Sequence, residues 1–189
     1  DALAVVQEVP ASGREAFEQN YLKGRSILDL QKLQLVKAPA QDRYMAVRDV
    51  APLETNEMVL GLNMISEASR AEAIDRSLKT GETVLTKPLI AVQDAKQPIQ
   101  SWLMVRRVAP REGRPAQVVS ALFHPDKLAR KVNGGESRAQ ICGVYDVSDG
   151  HRLLWSETLG KHSPESHRIP LRIGGRTLEL EILSEQRFD

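Results

Sequence analysis

Apolar positions along the chain switch between helical and strand periods, and the switches define its elements. In "SGREAFEQNYLKG" the spacing of Ala16, Phe17 and Tyr21 predicts a short amphipathic helix with Ser12 as its N-cap. "YMAVRDV" (44–50) alternates as a strand does and stops at Pro52. "SEASRAEAIDRSLKTG" (66–81) is the clearest helix. Ser66 is placed to cap it, Lys79 falls in the last turn and Gly81 ends it. Ala73, Ile74 and Leu78 form its buried stripe. "TVLTKPLIAVQ" (83–93) reads as a strand whose Pro88 implies an edge or a bulge. Strands at 99–108 and 116–123 flank the loop "APREGRP". A short helix (124–132) then opens with Pro125 and ends at Asn133-Gly134-Gly135. Beyond it only strands are predicted, at 139–147, 151–159, 167–175 and 176–183, with hairpin turns at Asp149-Gly150 and Gly174-Gly175.

This order predicts an α+β protein with a β-rich tail and an internal boundary near Asn133–Gly135. At 189 residues the chain is long enough for one sizeable core or two small ones. A net charge of +1 and 4% aromatic residues give no purchase on nucleic acid. The single cysteine, Cys142, excludes an intrachain disulfide and CxxC motifs, and its apolar strand makes it a small core residue rather than a nucleophile. The longest apolar run, Ala2–Val6, is far short of the roughly 20 residues of a membrane span. The chain starts at Asp1 without an initiator Met or signal peptide, and it is expected to be a piece of something longer.

No nucleotide-binding glycine loop, nucleophile elbow or HExxH motif occurs. "HSPESH" (162–167) brings two histidines near Glu165, but in a loop and without metal-ligand spacing. Neither a metal nor a cofactor is expected, and no carboxylate pair is spaced for acid–base work. The singular feature is "LGLNMIS" (60–66), where Asn63 sits alone in an apolar run ahead of the best helix. A buried amide without partners costs about 1–3 kcal/mol, so Asn63 needs either a ligand or local backbone groups to bond.

Several stretches resemble CHASE domains. "ALAVVQEVPASGREAFEQ" (2–19) has their Val-Pro run leading into an Arg-x-x-Phe helix, here Arg14 and Phe17. "YMAVRDVAP" (44–52) is similar to their Tyr-x-Pro-Val strand, with Ala46 in place of proline. "LGLNMISEASRAEAIDRSLKTGETVLTKPLIAVQ" (60–93) follows the family order most closely: Gly-x-Asp, an Arg-containing helix, Thr-Gly, Leu-Thr-x-Pro and an apolar strand ending in Gln. "WLMVRRV" (102–108) and "VYD" (144–146) fall where the family has further strands.

The resemblance implies an extracytoplasmic sensor of a membrane receptor. Its output would be a cytoplasmic histidine kinase or a cyclic-di-GMP cyclase or phosphodiesterase. It implies two PAS-like antiparallel units in tandem behind an N-terminal stalk helix, here truncated. Residues 1–41 would be an N-terminal helical or linker segment leading into a membrane-distal, ligand-binding unit (42–134), followed by a proximal unit (135–189). The full receptor would be a homodimer held in the inner membrane by flanking helices outside this chain, with the sensor in the periplasm.

In this framework Asn63 occupies the position where the family's carboxylate holds the ligand. Leu85 and Thr86 match a pair at the pocket edge, and Gln93 ends the lining strand. Tyr44, Trp102 and Met104 are candidates for the pocket wall or for packing. Arg48 and Arg106, with Arg107, Arg111 and Arg114, would either line a site for an anion or stand on solvated edges. A small-molecule ligand is the expected partner. Contact with a periplasmic protein on the same fold is the alternative reading, and hydrolysis is a third, lacking a nucleophile and base.

Overall fold

The start of the chain, expected to be a helical or linker segment, is a full strand, β1 (Ala2–Pro10), and it lies inside a sheet. After it come α1 (Arg14–Leu22), β2 (Leu28–Gln31), β3 (Gln34–Lys37), β4 (Arg43–Ala51), the single turn α2 (Leu53–Asn56) and α3 (Ala68–Thr80). The chain continues through β5 (Val84–Leu85), β6 (Leu89–Ile90), β7 (Gln100–Arg107), β8 (Gln117–Phe123) and α4 (Pro125–Asn133). It ends with β9 (Ala139–Asp146), β10 (Arg152–Ser156), β11 (Ser166–Ile173) and β12 (Arg176–Ser184). This computed structural model describes residues 2–96, 98–134, 139–156 and 166–184. The chain forms two compact units, residues 1–122 and 123–189, so the division falls before α4 rather than after it.

The first unit is built on a six-stranded sheet in the order β4-β1-β8-β7-β5, with β6 also paired to β7. β1 is antiparallel to β4 and β8, and β5 and β6 are antiparallel to β7. Pro88 splits the run 83–93 into β5 and β6, because a residue without an N–H cannot sustain the ladder. The larger core packs α3 through Ala73 and Ile74 against Val6, Met45, Val47, Leu103, Val105 and Val118. A smaller cluster gathers Val9, Phe17, Leu22, Ile27, Ala38, Tyr44 and Ala46.

All three predicted helices exist, but the caps of the first two differ from expectation. Glu67, not Ser66, caps α3, accepting hydrogen bonds from the Ser69 N–H at 2.9 Å and the Arg70 N–H at 3.1 Å. Ser66 is engaged elsewhere. Its hydroxyl donates to the Asn63 carbonyl at 2.6 Å and accepts the Leu30 N–H at 2.9 Å. At α1 the residue before the helix is Gly13, with no side-chain cap. Leu22 and Phe17 are its buried residues, while Tyr21 lies outside, stacked on Phe17.

The second unit is a four-stranded sheet, β10-β9-β12-β11, with α4 packed on β9 and β10. Its tight hairpin between β11 and β12 turns on Gly174 and Gly175, whose φ values of 56° and 78° suit glycine. Asn133 closes α4 by bracketing β9: its amide donates to the Ile141 carbonyl at 2.8 Å and accepts the Ile141 N–H at 2.7 Å. The interior holds a buried ion pair. Arg176 grips Asp146 through Nε at 2.9 Å and Nη2 at 3.0 Å, and Nη2 also reaches Asp149 at 2.8 Å. Tyr145 and Ser166 both donate to the buried Glu181 carboxylate. Burial and that contact raise the Tyr145 hydroxyl above its ordinary pKa.

Candidate functional site

Strand parity decides which side chains of the first sheet meet. On β4, Met45 and Val47 face the larger core, while Tyr44 and Ala46 face the smaller cluster. Between Val5 and Val6 the register slips, because Val5 pairs with Asp49 and Val6 with Val47. Arg48 is the extra residue of this bulge, and the slip returns Val50 to the face of Val47.

On that face lies an apolar cavity of about 50 Å³. Its sheet wall comes from Ala2 and Ala4 of β1, Val47 and Val50 of β4, Leu103 of β7, and Ser120 and Leu122 of β8. Opposite them stand Val59, Leu62 and Met64 from the segment entering α3, and Arg70 from the first turn of α3. Leu89, Ala91, Val92 and Gln93 complete the enclosure. Alanines at positions 2 and 4 leave room where larger side chains would fill the space.

Among the described residues, Arg70 is the one charged side chain in this lining. It is only 4% exposed. Among the described residues its guanidinium has one long hydrogen bond, from Nη2 to the Ile90 carbonyl at 3.4 Å. The nearest carboxylate is Glu67, with Oε2 4.0 Å from Nη1. Glu67 is already committed to the helix cap. Burial pushes the Arg70 pKa below its ordinary value, and Glu67 opposes that only in part.

The structure distributes the expected site residues among several places. Gln93 lines the cavity, and its Nε2 donates to Asn56 Oδ1 at 2.8 Å. Asn63 is fully buried and ties three segments together. Its Oδ1 accepts the Met45 N–H at 3.0 Å and its Nδ2 donates to Asp29 Oδ1 at 2.9 Å, while Asp29 Oδ2 accepts from Gln41 at 3.1 Å. The Thr86 hydroxyl accepts the Leu103 N–H at 3.0 Å and so extends the ladder where β5 ends. Leu85 is paired with Met104, and both lie with Trp102 on the face opposite Leu103. The Tyr44 hydroxyl donates to the Pro39 carbonyl at 2.8 Å and accepts from Arg14 and from the Gln41 N–H.

The other arginines stand at edges. Arg48 pairs with Asp49 at 2.6 Å, donates to Gln7 and lies over the Tyr21 ring. Arg106 donates to Thr83 on the exposed side of β7. Arg107 holds the end of α3 through the Leu78 carbonyl at 2.8 Å, and with Arg111 and Arg114 it lines a separate surface cleft of about 300 Å³. Of "HSPESH", positions 162–165 lie outside the described residues, and no metal-ligand cluster occurs among the described residues.

Sequence reasoning missed Arg70 as a site residue, although the signal was present. Positions 70, 73, 74 and 77 fall on one helical stripe, and all are buried. An arginine in phase with the core side of a helix needs a reason to be there.

No helix among the described residues is long and apolar enough to cross a membrane. No curated protein matches the chain. Several solved structures are similar to it, among them two sensor proteins. An extracellular ligand binding receptor from Desulfohalobium retbaense DSM5692 aligns at 14% identity and a TM-score of 0.47, over 72% of this chain and 28% of that one. The ligand-binding domain of the Pseudomonas aeruginosa PAO1 amino acid chemoreceptor PctC, in complex with GABA, aligns at 15% identity and a TM-score of 0.39, over 66% of this chain and 62% of that one. The chain thus spans less than two thirds of either, and at these TM-scores nothing about its ligand follows from them. The model of the CHASE domain, an extracytoplasmic sensor domain, matches residues 1–154. The chain belongs to the CHASE domain family.

Proposed function

We propose that this chain is the ligand-sensing part of a transmembrane receptor, a histidine kinase or an enzyme of cyclic-di-GMP turnover. We read its two sheet units as PAS-like and the first as the membrane-distal one. The observation that carries the reading is the cavity between the sheet and the start of α3, apolar except for Arg70, Gln93 and Ser120. Convergence of a few polar groups on an apolar hollow is the usual character of a small-molecule site. Gln93 is the expected site residue that this reading keeps in contact with ligand. Asn63, Thr86 and Tyr44 become the frame that positions the walls.

A ligand here touches both the sheet and α3, so it favours the packing in which the two are held together. That differential affinity is the energy available to bias an output module. The parent receptor is read as a homodimer anchored by membrane helices. A volume near 50 Å³ also suits the second reading, a periplasmic protein-interaction module whose cavity stays empty.

Thermal shift of the purified domain against a panel of small metabolites separates the two. A ligand present at 100 times its Kd adds about 2.7 kcal/mol, which for this size raises Tm by roughly 5–10 °C. A panel without any saturable shift would favour the interaction module.

A further inference from the structure

Resting on that reading, we propose that the ligand is a short-chain carboxylate held by Arg70, with its alkyl part against the apolar wall. Three observations converge. First, the Arg70 guanidinium is almost wholly buried, yet it has one long hydrogen bond and a carboxylate only at 4.0 Å. A guanidinium has five N–H donors in a planar fork, and taking it out of water is costly unless those donors are paired. Glu67, held at the helix cap by the N–H groups of Ser69 and Arg70, stands 4.0 Å away, beyond hydrogen-bond reach. A carboxylate in the cavity can, in the bidentate geometry that arginine favours.

Second, the remaining polar groups are neutral. Gln93 and Ser120 are hydrogen-bonding side chains without charge, and among the described residues nothing acidic lines the cavity to repel an anion. Third, the volume limits the tail. A dry apolar cavity of about 150 Å³ accommodates benzene, so about 50 Å³ holds a chain of only a few carbons. The alanines of β1 and the side chains of Leu103 and Leu122 offer that chain an apolar surface.

The test uses the purified domain with sodium butyrate, butyramide and sodium octanoate as probes. Tm and the Arg70 Nε–Hε signal in ¹H–¹⁵N spectra are the readouts. Butyrate is expected to raise Tm and move that signal saturably, with butyramide and octanoate at least tenfold weaker. Arg70→Met should abolish the butyrate response while melting, ligand-free, no lower than the parent, because it removes an under-paired buried charge. Arg70→Lys should keep a weakened response, since an ammonium supplies the charge without the fork.

Butyramide binding as tightly as butyrate, or a butyrate response that survives in Arg70→Met, would overturn the carboxylate assignment and leave the sensor reading standing. Octanoate binding as well as butyrate would overturn the size limit. If no probe and no member of the metabolite panel moved resonances of the cavity wall, both the assignment and the sensor reading would fail.

Discussion

Replacing Asn63 with alanine tests whether this amide is a structural bracket. It is fully buried and holds two buried groups, the Met45 N–H at 3.0 Å and one oxygen of the 7%-exposed Asp29 at 2.9 Å. Stranding the N–H costs about 1–2 kcal/mol, and stranding a donor-poor carboxylate oxygen costs about 1.5–3 kcal/mol. The Gln41 contact to the other Asp29 oxygen softens the second loss. Together they predict a loss of about 3–4 kcal/mol. With a urea m-value of about 2 kcal/mol/M, the midpoint falls by roughly 1.5–2 M. Trp102 reports on the first unit if Trp155 is first replaced by phenylalanine. A loss below about 1 kcal/mol at unchanged m would refute the bracket.

Asn63→Asp sharpens the same test, because it restores the residue that the family motif places there. It would set a second carboxylate about 3 Å from Asp29, and of two such groups one is held protonated to higher pH. A carboxyl whose folded pKa is raised weakens the fold as pH rises through the ordinary carboxylate range, and the penalty is absent below it. Asn63→Asp should therefore approach the parent in acid and fall away toward neutral pH. A deficit independent of pH would show that Asp29 does not face it.

Three further outcomes follow from the geometry. Gly61→Ala should cost about 1–3 kcal/mol, read by urea denaturation, because φ is 79° and a Cβ would lie 2.8 Å from the buried Leu22 Cδ1. Glu18 is pushed up by burial but held lower overall, below its ordinary value, by the Ile27 N–H and Arg14. Its stabilisation is present above the ordinary carboxylate range and lost as pH falls through the depressed pKa. Glu18→Gln should thus flatten the acid limb of a Tm–pH profile and converge with the parent there. In the second unit, Arg176→Ala removes the two-pronged guanidinium partner of the 2%-exposed Asp146, which keeps the Ser148 N–H, and should cost about 3 kcal/mol, seen as faster amide exchange in β9 and β12.

The elements with ordinary punctuation were legible in the sequence: the β4 strand before Pro52, α3 with its Gly81 stop, and the hairpin at Gly174-Gly175. The hairpin of β2 and β3 was not, because its turn uses Lys32 and Leu33 at φ of 48° and 65°, without the Gly, Asn or Asp that signals such a turn. That omission hid Asp29, and with it the partner that explains Asn63. Strand period was readable on β7, but its phase was not. Trp102 is larger than Leu103 and Met104 is about its equal in volume, yet it is Leu103 that meets the cavity. Phase depends on which face α3 covers, and that is fixed by pairings between strands far apart in sequence.

The bulge at Arg48 adds a local reason. A one-residue slip moves Val50 onto the cavity face, which no uniform alternation can anticipate. For the same reason, deleting one residue at Arg48–Asp49 should remove the bulge yet leave Val50 facing the cavity, because it then stands two positions after Val47 in regular alternation. Ligand binding should survive that deletion, and its loss would show that the bent strand itself, and not only the face Val50 takes, shapes the cavity. The number of residues between Val47 and Val50, read against the register of β1, thus decides which side chain closes this wall.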